Sequence, residues 1–182
     1  VTEKLKKDYL DFYKILTETK VRFQFIDQDV FFAHPEGVSL QEFSYIDKRV
    51  MILCKNASVG RRVHIAPNVL VSGGGTFTIH DYAGIATGVS VITSTAIIKD
   101  GARCSGPMSS VAQRNVLRGH VLIERDAFIG PHAVLLPNII IKEGSVVTAG
   151  LTIRRNTDPW GIYVGESAKN ISKRDIVKFD DD

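Results

Sequence analysis

The sequence predicts an all-β-dominated chain folded as a parallel β-helix of hexapeptide repeats, and two patterns carry that expectation. Aliphatic side chains recur every sixth position through Ile123, Ile129, Leu135, Ile141, Val147 and Ile153. Four residues after each stands a short or branched one: Ala127, Ala133, Ile139, Ser145, Leu151 and Thr157. The same beat runs earlier through Leu53, Val59, Ile65 and Val71 and, after a slip of two residues at Gly73-Gly74-Gly75, through Ile79, Ile85, Val91 and Ile97. Neither a helix, with period 3.6, nor an ordinary strand, with period 2, keeps one aliphatic residue on the same side every six. A short strand plus a tight turn per unit does so, and stacked units bury a continuous core.

The remaining elements follow in chain order within one domain, 1–182. Residues 1–20 read as an N-terminal helix, because Leu5, Tyr9, Phe12 and Leu16 recur at helical spacing among charged residues. Residues 21–158 form the β-helix. Its first part, 21–52, is rich in aromatic and β-branched residues and carries the turn Pro35-Glu36-Gly37, so irregular strands are expected there. Regular coils are expected from Leu53 to Thr157, in a prism roughly 30 Å long at about 4.8 Å per coil. From Trp160 the chain is expected to leave the prism, and 159–182 reads as a C-terminal helix and tail, the helix spanning Ser167 to Phe179.

Between Ile97 and Ile123 the beat stops for 26 residues where one hexapeptide needs six. Residues 98–120 must therefore leave the prism as a long protruding loop, and a long loop inside a regular repeat is a place for function. It is polar and basic, with Lys99, Asp100, Arg103, Cys104, Arg114 and Arg118.

Composition narrows the classes. The chain is 44% hydrophobic and 24% charged, with a net charge of +3 and no basic run with interleaved aromatics, so no nucleic-acid partner is expected. Two cysteines, Cys54 and Cys104, make no disulfide framework. No apolar run approaches the ~20 residues of a membrane span, and the N-terminus does not read as a signal peptide. A cytoplasmic protein without membrane insertion is expected.

Three stretches resemble a known family. Gly130-Pro131-His132-Ala133-Val134-Leu135-Leu136-Pro137-Asn138, Gly144-Ser145-Val146-Val147-Thr148-Ala149-Gly150, and Pro159-Trp160-Gly161-Ile162-Tyr163-Val164-Gly165-Glu166-Ser167-Ala168-Lys169 are similar to the end pattern of the left-handed β-helix acyltransferases of the hexapeptide-repeat superfamily. Val71-Ser72-Gly73-Gly74-Gly75 and Ile79-His80-Asp81-Tyr82-Ala83-Gly84-Ile85 are closer to a narrower group, which moves an acyl group from coenzyme A to the amino group of a nucleotide-linked 4-amino-4,6-dideoxy sugar. The resemblance implies the left-handed coil, acetyl-CoA as acyl donor, a nucleotide-sugar acceptor and a homotrimer whose coenzyme groove lies between subunits. It also makes Ala149 and Gly150 candidates to line the pantetheine groove, with Lys169 and Arg174 facing the phosphates.

Acyl transfer to an amine needs the amine neutral, an acceptor for the released proton and a donor for the developing oxyanion. Relatives carry a pair of acidic residues after the strand that corresponds to Val91-Ile92-Thr93, whereas this chain reads Ser94-Thr95-Ala96-Ile97. Sugar and antibiotic O-acetyltransferases use a histidine, so acylation of a hydroxyl is the alternative function. Of the five histidines, His34 reads as structural, and His64 and His132 are weaker candidates. His120, at the end of the loop, and Asp100, within it, are the candidate bases. His80 occupies an exposed corner, and Gly73, Gly74 and Gly75 could offer amides to a diphosphate; these four are the candidate acceptor-binding residues. No metal is expected, because a zinc hydratase needs three converging imidazoles and the nearest pair, His120 and His132, is two hexapeptides apart. A non-catalytic scaffold is the remaining rival.

Overall fold

A computed structural model describes residues 24–104, 106–165 and 168–176. The chain winds as a three-sided prism. Its first face stacks Phe25–Ile26, Tyr45–Ile46, His64–Ile65, Gly84–Ile85, Phe128–Ile129, Val146–Val147 and Gly161–Val164 in parallel. The second face stacks Phe31–Phe32, Met51–Ile52, Leu70–Ser72, Ser90–Ile92, Val134–Leu135 and Thr152–Ile153. The third stacks Val38–Leu40, Asn56–Val59, Thr76–Ile79, His120–Ile123 and Ile139–Ile141.

The six-residue beat is the inner lining. Ile65, Ile85, Ile129 and Val147 form one inward column, Val71, Val91, Leu135 and Ile153 a second, and Val59, Ile79, Ile123 and Ile141 a third, all buried. Each contributes about 1.5–3 kcal/mol by leaving water. The residues four positions on, such as Ala127, Ala133 and Ser145, are buried too, since the chain turns inward again directly after each corner. The residue that makes the turn, three after the aliphatic one, takes a left-handed φ: Asn68 at 62°, Tyr82 at 59°, His132 at 57° and Asn138 at 62°.

Several expectations are corrected. Among the described residues coil pairing is already present at Phe25, ahead of the regular coils expected from Leu53, because 25–52 pair in parallel with the coil above. Ile52, not Leu53, points inward, since an extra residue at the next corner makes the step to Val59 seven instead of six. Ile97 leaves the core for the loop. The prism continues past Trp160, as Gly161–Val164 still pairs with Val146–Val147. Residues 169–173, expected in a C-terminal helix, instead form the strand Lys169–Lys173, antiparallel to Gly161–Val164. The last coil leaves an edge of unpaired backbone groups, and a returning strand satisfies them where a helix could not. The N-terminal helix expected over 1–20 lies outside the described residues.

Departures from the beat gather at one corner. From the second face to the third, the step is eight residues between Phe32 and Leu40, seven between Ile52 and Val59, eight between Val71 and Ile79, and thirty-two between Val91 and Ile123. One edge of the prism therefore carries almost all the irregular chain.

Candidate active site

The long loop forms an arm with a hairpin at its root. Ser94–Ala96 pairs antiparallel with Val116–Arg118, and two further backbone bonds, Ile97 N–H to Asn115 O (2.9 Å) and Arg103 N–H to Gln113 O (2.7 Å), extend the arm. Ile98, Met108 and Val111 are exposed along it. Asp100 occupies an exposed turn with φ 54°, beyond the paired root.

The glycine triplet meets this root directly. The Gly74 amide donates to Ser94 Oγ (2.9 Å) and the Gly75 amide to Thr93 Oγ1 (3.2 Å), while Thr93 Oγ1 donates to Ser72 O (3.0 Å). Gly73 has φ 113°, and a Cβ on Gly75 would collide with the Gly119 carbonyl oxygen. Gly73 and Gly75 are demanded by close packing of the next coil, and the amides of Gly74 and Gly75 are taken by hydroxyls. What the corner does present outward is Arg118, whose Nε stands 3.1 Å from the position of a Gly74 Cβ.

His120 opens the third-face strand His120–Ile123 and does not belong to the loop itself. Its side chain points outward, because Val121 and Ile123 take the inward positions. Nε2 lies 3.0 Å from Thr78 Oγ1 on the preceding coil, and its backbone amide donates to Asn138 Oδ1 (3.3 Å) on the following one. His120 and the glycine triplet thus share one corner. His80 stands at the other end of Thr76–Ile79, on a different edge. No hydrogen bond joins Asp100 to His120 among the described residues.

The residues expected to hold the coenzyme also separate. Ala149 and Gly150 form an exposed corner between the first and second faces, where the Gly150 amide donates to Pro131 O (2.8 Å). Lys169 lines a recess of about 610 Å³ at the end of the prism, together with Thr152, Arg154, Arg155 and Asn156. Tyr163 forms part of its wall: its hydroxyl accepts the Asp158 amide (2.6 Å) and donates to Asp158 Oδ2 (3.2 Å), and burial pushes its pKa up. Arg174 is committed elsewhere. Its Nη1 donates to Asp126 O (2.7 Å) and Gly144 O (3.4 Å), and its guanidinium lies over the Trp160 ring.

Sequence reasoning passed over Thr78, Asn138, Arg154, Arg155 and Asn156. The asparagines carried a signal: Asn138 and Asn156 both stand at the second-to-third corner, and the Asn156 Oδ1 accepts the Ile140 amide (2.8 Å) as Asn138 Oδ1 accepts that of His120. The Arg154-Arg155 pair was legible as charge, but not the recess it lines, one side of which is made by Lys169 and Asn170 of the returning C-terminal strand. Among the described residues, no three His, Cys, Asp or Glu side chains gather to hold a metal, and no helix is long and apolar enough to cross a membrane.

Comparison with known proteins adds chemistry to this geometry. No family model matches the chain. A dTDP-4-amino-4,6-dideoxy-D-glucose acyltransferase from Escherichia coli is 32% identical over 112 residues, which is 62% of this chain and 58% of that protein, less than two thirds of its length. The N-acyltransferase AntD from Bacillus cereus, solved with dTDP-4-amino-4,6-dideoxyglucose and coenzyme A, superposes with a TM-score of 0.79 at 26% identity, covering 84% of this chain and 81% of that one. A hexapeptide-repeat acetyltransferase from Vibrio cholerae shares the fold, with a TM-score of 0.59 at 16% identity over 96% of this chain and 93% of that one. By its repeat and its coil the chain has the fold of the hexapeptide-repeat acetyltransferases, and in sequence it is similar to N-acyltransferases.

Proposed function

We propose that the protein transfers an acetyl or similar acyl group from coenzyme A to the amino group of a nucleotide-linked amino-deoxy sugar. The carrying observation is the likeness to AntD, whose solved structure holds both a nucleotide-linked 4-amino-4,6-dideoxy sugar and coenzyme A. The decorated edge supports it. His120 and the recess with Arg154, Arg155 and Lys169 lie on that side of the prism, separated by two coils, about 10 Å along the axis. That is within the reach of a pantetheine arm, which would bring the thioester to His120 while the basic recess takes the coenzyme phosphates. Ala149 and Gly150 would border the arm on the opposite side of the second face.

In this reading His120 is the base and Arg118 meets the acceptor diphosphate, in place of the occupied glycine amides. The amine attacks the thioester carbon, its proton passes to the imidazole, and the thiol of coenzyme A leaves. Asp100 is the alternative base, reaching the site by movement of the arm, and His80 would meet an acceptor only across the third face. The subunits form a homotrimer, and the protein acts in the cytoplasm, where thioester donor and nucleotide-sugar acceptor are both found.

The test is release of coenzyme A thiol across a panel of nucleotide-linked amino sugars, simple galactosides and small alcohols. Thiol release with the amino sugars is expected. Replacing His120 by Ala should lower kcat by roughly 100-fold or more with little change in coenzyme A affinity. Activity confined to hydroxyl acceptors would favour the O-acetyltransferase reading, which Ala96 supports, standing where relatives with amine acceptors are acidic.

A further inference from the structure

The His120–Thr78 contact constrains which nitrogen of the imidazole can work. Thr78 and His120 project from the same outer surface of the third face, one coil apart and offset by two residues, since His120 pairs with Thr76 and Leu122 with Thr78. Nε2 is 3.0 Å from the Thr78 hydroxyl. A neutral imidazole carries its proton on one nitrogen only. If Nε2–H donates to Thr78 Oγ1, the Nδ1 lone pair is open to take a proton; if the hydroxyl donates instead, Nδ1 carries the hydrogen and cannot.

We propose that Thr78 is a positioning residue that accepts the Nε2–H of His120 and holds the ring with Nδ1 as the proton acceptor. The inference rests on His120 being the base. On attack, the amine nitrogen forms its bond to the thioester carbon and passes its proton to Nδ1. The imidazolium then donates that proton to the departing sulfur, so the ring ends as it began. Through the imidazolium stage Nε2–H stays on Thr78, and the bond becomes charge-assisted just when positive charge develops, which stabilises the transition state more than the ground state. The backbone bond to Asn138 fixes the other end of the residue. Thr76 and Thr78 on one neighbouring strand and Ile139–Ile141 on the other bring no charge to the ring; Arg118 is the cation two residues before it.

The experiment combines ¹⁵N spectra of the His120 ring in the free protein with kinetics of Thr78→Val and Thr78→Ser. Wild type and Thr78→Ser should show the Nε2–H tautomer, and Thr78→Val a mixture. Thr78→Val should lower kcat about tenfold or more, with KM for the acceptor unchanged, and Thr78→Ser should restore it. In a His120→Ala background, Thr78→Val should cost nothing further. An Nδ1–H tautomer in wild type, a spectrum unmoved by Thr78→Val, or an equal loss in both backgrounds would overturn the proposal. Wild-type kcat in His120→Ala would remove the base and this role with it. Absence of thiol release with every acceptor would reject the proposed activity instead, leaving the spectra to decide the tautomer.

Discussion

Arg118 lies across Gly74, its Nε 3.1 Å from where a Cβ on that glycine would stand. The glycine leaves room for the cation, and the hydroxyls of Thr93 and Ser94 take the neighbouring amides, so the charge this corner offers an anion is carried by the guanidinium. Changing Arg118 to Ala should raise KM for a nucleotide-linked acceptor roughly 10- to 100-fold, the worth of one charged hydrogen bond at about 1.5–3 kcal/mol. Gly74→Ala should act in the same direction but more weakly, because a flexible side chain can yield. Steady-state kinetics at fixed acetyl-CoA measure both, and an unchanged KM for Arg118→Ala would place the diphosphate elsewhere.

Lys169 and Arg174 make a sharper pair than their sequence suggests. Lys169 faces the basic recess, whereas Arg174 ties the C-terminal strand to the carbonyls of Asp126 and Gly144. Lys169→Ala should therefore weaken coenzyme A binding about tenfold or more while leaving the unfolding midpoint in place. Arg174→Ala should lower that midpoint with a smaller effect on affinity. Calorimetric titration with coenzyme A and a urea melt separate the two.

The fold was legible because inward side chains must repeat with the coil, so Ile123 through Ile153 announce both the face and the period. The corners were less legible. A turn at left-handed φ is built as readily by Tyr82, Asp126 or His132 as by glycine once the coils on either side hold it, so residue type marks these positions poorly. The strand Lys169–Lys173 was misread as helix because its pattern is local while its cause is the open edge of Gly161–Val164. The candidate site was only half legible: His120 could be picked by its place beside the loop, but its partners Thr78 and Asn138 are 42 and 18 residues away and meet it only through coil stacking.

The two thiols should differ in reactivity. Cys54 is buried and Cys104 exposed on the arm, and burial pushes the Cys54 thiol above its ordinary value of 9.0. The native protein should react quickly with one equivalent of a thiol reagent, and Cys104→Ser should abolish that phase. Linkage gives the pH dependence. A thiol raised in the folded state contributes stability that is fully present below the unfolded value and is lost as pH rises through the folded one. Tyr163, also raised by burial, acts with the same sign. Urea midpoints should therefore fall above about pH 9, and a midpoint that stayed level or rose would contradict both assignments.

Phe128 tests the assembly. On the outside of the first face it stands in line with Phe25, Tyr45, His64, Gly84, Val146 and Ile162. The Phe25 and Tyr45 rings meet edge to face at 4.6 Å, Tyr45 stacks on His64 at 5.0 Å, and Phe128 covers Gly84 but remains 45% exposed. Phe31 and Met51, at 53% and 41%, are exposed in the same way on the second face. Two apolar faces meeting at one corner suit a closed ring of three chains better than an isolated prism, and covering them is favourable at about 25 cal/mol per Å² of apolar area. Light scattering at micromolar concentration should give the mass of three chains. Phe128→Glu should shift it toward one, because an unpaired carboxylate would have to be buried at the contact. The variant should keep the far-ultraviolet signature of the coils, since Phe128 is not part of the inner columns. A wild-type monomer, or a Phe128→Glu trimer of unchanged stability, would take the first face out of the interface.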